Sequence, residues 1–128
     1  MNLLFDTHVF IWWADEPAKL SSAAIAVLED EDNRLFLSDA SIWEMQIKVQ
    51  LGKIKLKLSL PDLIESQKRD NNVEILHITT EHILALDKLP FHHKDPFDRL
   101  IIAQSIVEDF TIVTLDSEFP AYPAKLLW

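Results

Sequence analysis

Four acidic residues sit where a carboxylate could do chemistry. Asp6 closes the apolar run Leu3-Leu4-Phe5, and Asp116 closes Thr111-Ile112-Val113-Thr114-Leu115. Glu44 interrupts Ile42-Trp43-Glu44-Met45-Gln46-Ile47, and Asp98 follows Asp95-Pro96-Phe97 at the head of a long apolar stretch. Carboxylates brought to one point repel, and each resists ionisation unless a cation neutralises the group. Convergence would therefore imply a divalent metal and metal-dependent chemistry.

Each acid also has a local use. Asp6 and Asp116 suit strand-to-helix turns, where a carboxylate bonds the backbone. Glu44 borders the expected core stripe Ala40, Trp43, Ile47 and Leu51 of a helix, where an unpaired charge is costly. An i,i+4 pair with Lys48 would relieve it. Asp95 followed by Pro96 reads as an N-cap with proline at N1. Asp98 then occupies N3, open between the attraction of the helix's positive end and a ligand role. His92-His93 falls in a loop, and without a second histidine pair at zinc spacing it argues against a zinc site. His8 is either a turn residue or a substrate contact. Trp12, Trp13 and Trp43 read as core or interface residues, although adjacent Trp12 and Trp13 cannot both face one core.

Positioning these groups requires alternating elements. Strands are expected over 2–6, 34–38, 73–78 and 111–115, with a short fifth over 125–128. The first helix carries Trp12 and Trp13 with Thr7 as its N-cap, and a second is capped by Ser21 or Ser22 and runs through Leu28. A third runs from Asp39 to Leu51 and stops at Gly52, the only glycine. Further helices start at Pro61, at a Thr79 or Thr80 cap, and at Asp95-Pro96, ending near Asp70, Leu89 and Asp109. Residues 53–60 alternate lysine with apolar side chains, which suits an extended segment with one wet face. Such alternation implies a three-layer α/β/α sandwich around a mainly parallel sheet of about five strands. In that architecture sites gather outside the carboxyl ends of the strands, where Asp6 and Asp116 fall.

With 128 residues, 48% of them hydrophobic, the chain is expected to form one domain over 1–128 with a real core. No apolar run approaches a membrane span, and Asp6 interrupts the first apolar stretch too early for a signal peptide, so a cytoplasmic protein is expected. The absence of cysteine excludes disulfides and thiolate metal sites. A net charge of -9 argues against a passive nucleic-acid binder. It does not exclude a nuclease, because a cation in a carboxylate cluster reverses the local sign. Lys48, Lys53, Lys55 and Lys57 form a basic patch, either tracking a phosphate backbone or guarding an edge strand.

The ordered segments Leu3-Leu4-Phe5-Asp6-Thr7-His8, Ser38 to Lys48, Leu51-Gly52-Lys53, His93-Lys94-Asp95-Pro96-Phe97-Asp98-Arg99-Leu100, Ala103-Gln104 and Thr114-Leu115-Asp116 carry a family resemblance. The chain resembles the PIN-domain ribonucleases, specifically the VapC-type toxins of type II toxin–antitoxin pairs. The resemblance implies an endoribonuclease with one or two Mg²⁺ or Mn²⁺ ions at Asp6, Glu44, Asp98 and Asp116, hydrolysing phosphodiester bonds by metal-activated water. It implies supporting or substrate roles for Thr7, Ser41, Asp95, Arg99 and Thr114, with Arg99 contacting phosphate or securing the site. It also implies a VapB-type antitoxin, an RNA substrate and a homodimer, and no membrane.

Two other readings compete. A haloacid-dehalogenase-like phosphatase also places an aspartate after its first strand, but needs another two residues on, where this chain has His8. In a non-catalytic interaction module the acids would serve only as caps and turns.

Overall fold

The computed structural model describes residues 1–128. Five strands form one sheet: β1 (Asn2–Phe5), β2 (Arg34–Ser38), β3 (Glu74–Leu76), β4 (Thr111–Val113) and β5 (Lys125–Leu127). Their spatial order is β3-β2-β1-β4-β5, and every pairing is parallel. The continuous apolar run of β1 explains its central place, since a parallel strand covered on both faces buries all its side chains. Leu3 and Phe5, with Leu35, Leu37 and Val113, enter one core, while Leu4, with Phe36 and Ile112, enters the other.

Helices cover both faces, as the alternation predicts. On the first lie α1 (Thr7–Asp15), α2 (Ser22–Glu29) and α4 (Leu60–Asn71), anchored by Val9, Phe10, Ala24, Leu28 and Leu63. On the second lies α6 (Pro96–Glu108), through Ile101, Ile102 and Ala103, with the short α5 (Thr80–Ala85) packed against it. α3 (Asp39–Gln50) joins the layers, giving Met45 to one core and Ala40 to the other. Leu4 is fully buried at the centre, and truncating such a residue to alanine costs about 2–5 kcal/mol.

The connectivity makes the site. From β1 the chain moves outward to β2 and β3, then returns to β4 and β5 on the other side of β1. The direction of winding reverses between β1 and β4, which opens a crevice at the carboxyl ends of those strands.

Local expectations are corrected in four places. Asp6, not Thr7, caps α1: it is the last extended residue, and its Oδ1 accepts the His8 N–H at 3.2 Å. Ser21 and Thr79, each one of two expected candidates, cap α2 and α5, whereas α4 opens one residue early at Leu60 behind a Ser59 cap. The α3 stripe is rotated: Trp43 is 57% and Leu51 62% exposed, while Ala40, Ser41, Glu44 and Met45 are buried. Trp43 packs edge-on to Phe97 at the surface, 5.0 Å between centroids, so its ring is used outside the core. Residues 53–59 pair with no strand, hence Lys53, Lys55 and Lys57 guard no sheet edge.

Candidate metal centre and active site

Asp6 lies one residue beyond β1, at the crevice, with its N–H bonded to the Val113 carbonyl at 3.2 Å. Thr114, one residue beyond β4, donates its hydroxyl to Asp6 Oδ2 at 2.6 Å and accepts the Asp116 N–H at 3.0 Å. One threonine thus ties both strand-end aspartates together. Asp116 Oδ1 in turn accepts the Glu118 N–H at 2.8 Å. Thr7, buried at the start of α1, donates to Ser41 Oγ at 2.9 Å and couples α1 to α3.

Glu44 reaches the cluster from α3 and is 3% exposed. The Lys48 pair expected of this residue forms, and it occupies only one of the two carboxylate oxygens. Its Oε2 accepts from Lys48 Nζ at 2.8 Å, whereas its Oε1 is buried with no partner at all. A buried carboxylate oxygen without a donor is costly. Asp95 does the capping expected of it, accepting from the N–H groups of Phe97 at 2.8 Å and Asp98 at 3.1 Å. That leaves the Asp98 carboxylate, 14% exposed, for the cluster.

The electrostatics bind these groups into one site. Burial foremost, then the charges of Asp95, Asp6, Glu44 and Asp116, push the Asp98 carboxyl up to about 8. Burial also raises Asp6, with Asp116 adding to it, against the Thr114 hydrogen bond and the nearby His8. Such repulsion, with an orphaned Glu44 oxygen, is what a divalent cation relieves. Clustered carboxylate oxygens with no thiolate fit Mg²⁺ or Mn²⁺.

Arg99 takes the securing role of its two expected ones, and His93 enters the site unexpectedly. Arg99 does not face the crevice: it is buried, and it donates to the carbonyls of Pro90 (2.8 Å), Leu89 (3.3 Å) and Leu86 (3.4 Å) and to the Tyr122 hydroxyl (3.3 Å). Its guanidinium also lies 4.2 Å from the Phe91 ring centroid. It clamps the loop before α6 rather than awaiting phosphate. His93, passed over as a loop residue, lies inside the cluster, its Nε2 2.9 Å from Asp98 Oδ2 and 3.3 Å from Asp116 Oδ2. The signal was its place two residues before the Asp95 cap, which puts it at the same end of the sheet as the start of α6.

A cleft of about 320 Å³ lined by Asp6, His8, Trp12, Leu115 and Asp116 opens beside the acids. A larger cavity, about 610 Å³, lies at the opposite ends of β2 and β3. Of its charged groups, Glu74 binds Arg34 and Asp70 binds Arg69, and both carboxyls are held below their ordinary range by those arginines. Only the smaller cleft combines open space with strained carboxylates, so it is the candidate site.

The PIN domain family model matches residues 3–125. The chain is 32% identical over 116 residues to Ribonuclease VapC22 of Mycobacterium tuberculosis, a match covering 90% of this chain and 87% of that protein. Among solved structures, VapBC2 from Rickettsia felis bound to a DNA fragment from their promoter aligns over 99% of this chain and 98% of its own, with TM-score 0.76 and 18% identity. VapBC-1 from nontypeable Haemophilus influenzae aligns over 99% and 97%, with TM-score 0.72 and 16% identity. At those identities the structural likeness speaks to the fold alone.

Proposed function

The chain belongs to the PIN-domain family, in its VapC branch, and on that premise we propose that it is a divalent-metal-dependent endoribonuclease acting as the toxin of a toxin–antitoxin pair. The observation that carries this reading is the gathering of Asp6, Glu44, Asp98 and Asp116 into one mutually repelling group with an unpartnered Glu44 oxygen. These four carboxylates would hold one or two Mg²⁺ or Mn²⁺ ions, and such ions supply Lewis acidity toward water and phosphoryl oxygen. This favours the nuclease over the phosphatase reading, which leaves Glu44 idle.

The chain's own residues do the positioning. Thr114 fixes Asp6 by hydrogen bond and Asp116 through its backbone. Asp95 secures the start of α6 so that Asp98 faces inward, and the Thr7–Ser41 bond holds α1 and α3 in register around Glu44. Burial of Asp6 and Glu44 excludes water and strengthens their hold on an ion. RNA would approach through the cleft beside His8 and Leu115, with exposed Lys53, Lys55 and Lys57 along its backbone. A VapB-type antitoxin and a second copy of the chain are the expected protein partners, and exposed Trp43, Val49, Leu51 and Leu58 offer apolar surface for them. No helix is long and apolar enough to cross a membrane. An RNA substrate would be met in the cytoplasm, where we place the activity.

Product-end chemistry tests the reading. Hydrolysis by an activated water leaves a 5′-phosphate and a 3′-hydroxyl on labelled RNA. A 2′,3′-cyclic phosphate would instead mean attack by the ribose hydroxyl and would overturn the proposed route.

A further inference from the structure

His93 packs edge-on to the buried Phe119 ring, 6.0 Å between centroids, but its nitrogens point at the site. It leaves the loop before α6 and reaches the strand-end acids, with its side chain 12% exposed. Ligand atoms of His93, Asp98 and Asp116 lie within 4.8 Å of one another, a span that one ion can bridge. We propose that His93 is a nitrogen ligand of the divalent cation, beside Asp98 and Asp116, with Glu118 orienting its ring. The inference rests on the metal-dependent reading above and extends its ligand set.

The second ring nitrogen carries the argument. His93 Nδ1 accepts the Asp95 N–H at 3.2 Å, yet it also lies 3.1 Å from Glu118 Oε2. The two contacts require opposite proton placements. Accepting from Asp95 needs a bare Nδ1, whereas bonding Glu118 needs Nδ1–H. In the first arrangement Nε2 carries the hydrogen and donates to Asp98 and Asp116, filling the place between carboxylates that a cation would take. In the second, Nδ1–H is held by Glu118 and the Nε2 lone pair faces the acids. Without a cation that lone pair faces the Asp98 and Asp116 carboxyls; with one it becomes a ligand, in the carboxylate–histidine–metal order of known sites. The ring need not move between the two. Glu118 is also tied to the site by its own N–H, which bonds Asp116 Oδ1 at 2.8 Å.

A nitrogen donor changes which ion the site prefers. Mg²⁺ keeps to oxygen ligands and water, while imidazole strengthens the hold on transition ions. His93 therefore biases the centre toward Mn²⁺.

Pulsed EPR on the full chain loaded with Mn²⁺ alone, with imidazole-¹⁵N histidine, reads the contact directly. A nitrogen coupling is expected in the wild type and in His8→Gln, and should vanish in His93→Gln. Mn²⁺ affinity should fall about tenfold in His93→Gln and severalfold in Glu118→Gln, with Mg²⁺ affinity nearly unchanged. Bound Mn²⁺ without nitrogen coupling in the wild type, or coupling that survives in His93→Gln, would overturn the ligand role while leaving the carboxylate site intact. Failure of Mn²⁺ to bind in an Asp6-dependent way would instead remove the metal reading, and this ligand with it.

Discussion

Asp98→Asn should stabilise the metal-free protein while destroying its response to metal. The Asp98 carboxyl, ordinarily near 3.8, is pushed up to about 8 by burial and its acidic neighbours. A raised folded value means that the native state holds the proton more tightly than the unfolded chain does. The resulting stabilisation is full below about pH 3.8 and is lost as pH climbs to about 8. At 1.36 kcal/mol per pH unit that interval is worth on the order of 5 kcal/mol, and relaxation and water at a partly open site reduce it to about 2–4 kcal/mol. Asparagine resembles the protonated acid, and its amide can still donate to His93 Nε2, now 2.9 Å from Asp98 Oδ2. In EDTA at pH 8 the variant should melt about 10 °C above wild type, and near pH 4.5 the two should nearly coincide. Saturating Mn²⁺ should raise the wild-type melting temperature and leave the variant's unmoved. The reasoning about charge crowding is refuted if the variant melts below wild type at pH 8, or if the gap between them does not change with pH.

Other perturbations separate ligands from supports. Thr114→Val removes the hydroxyl that holds the Asp6 carboxyl down, so Asp6 should rise further and Mn²⁺ affinity fall about tenfold by calorimetry. Asp95→Ala should cost about 1 kcal/mol in urea unfolding through loss of the α6 cap, with Mn²⁺ still bound. Arg99→Met strips donors from three loop carbonyls and should cost about 2–4 kcal/mol, with limited proteolysis appearing between Leu86 and Lys94.

The elements and their layering were within reach of the sequence because apolar runs and caps are local signals. Leu3-Leu4-Phe5 had to be a buried strand, and Asp95-Pro96 had to open a helix. The phase of α3 was harder to read: tryptophan looks like core, yet Trp43 lies on the surface against Phe97, and Glu44 turns inward in its place. Hydrophobic periodicity alone does not place a buried charge, here paired only with Lys48 one turn along the same helix. The place of His93 and the choice between the two roles of Arg99 were hidden for a related reason. Both act through the loop before α6, whose path follows from long-range contacts to Tyr122, Asp116 and the Leu86–Pro90 carbonyls rather than from any repeating pattern.

The central claim is that the four gathered acids form a cation-dependent centre for RNA hydrolysis. Its most direct test is the cleavage rate of labelled RNA by wild type and Asp6→Asn with saturating Mn²⁺, each repeated in EDTA. Wild type should cleave only with the ion, and Asp6→Asn should lose more than the about 10–100-fold typical of an outer-shell partner. Equal cleavage by the two proteins, or cleavage by wild type that persists in EDTA, would contradict it.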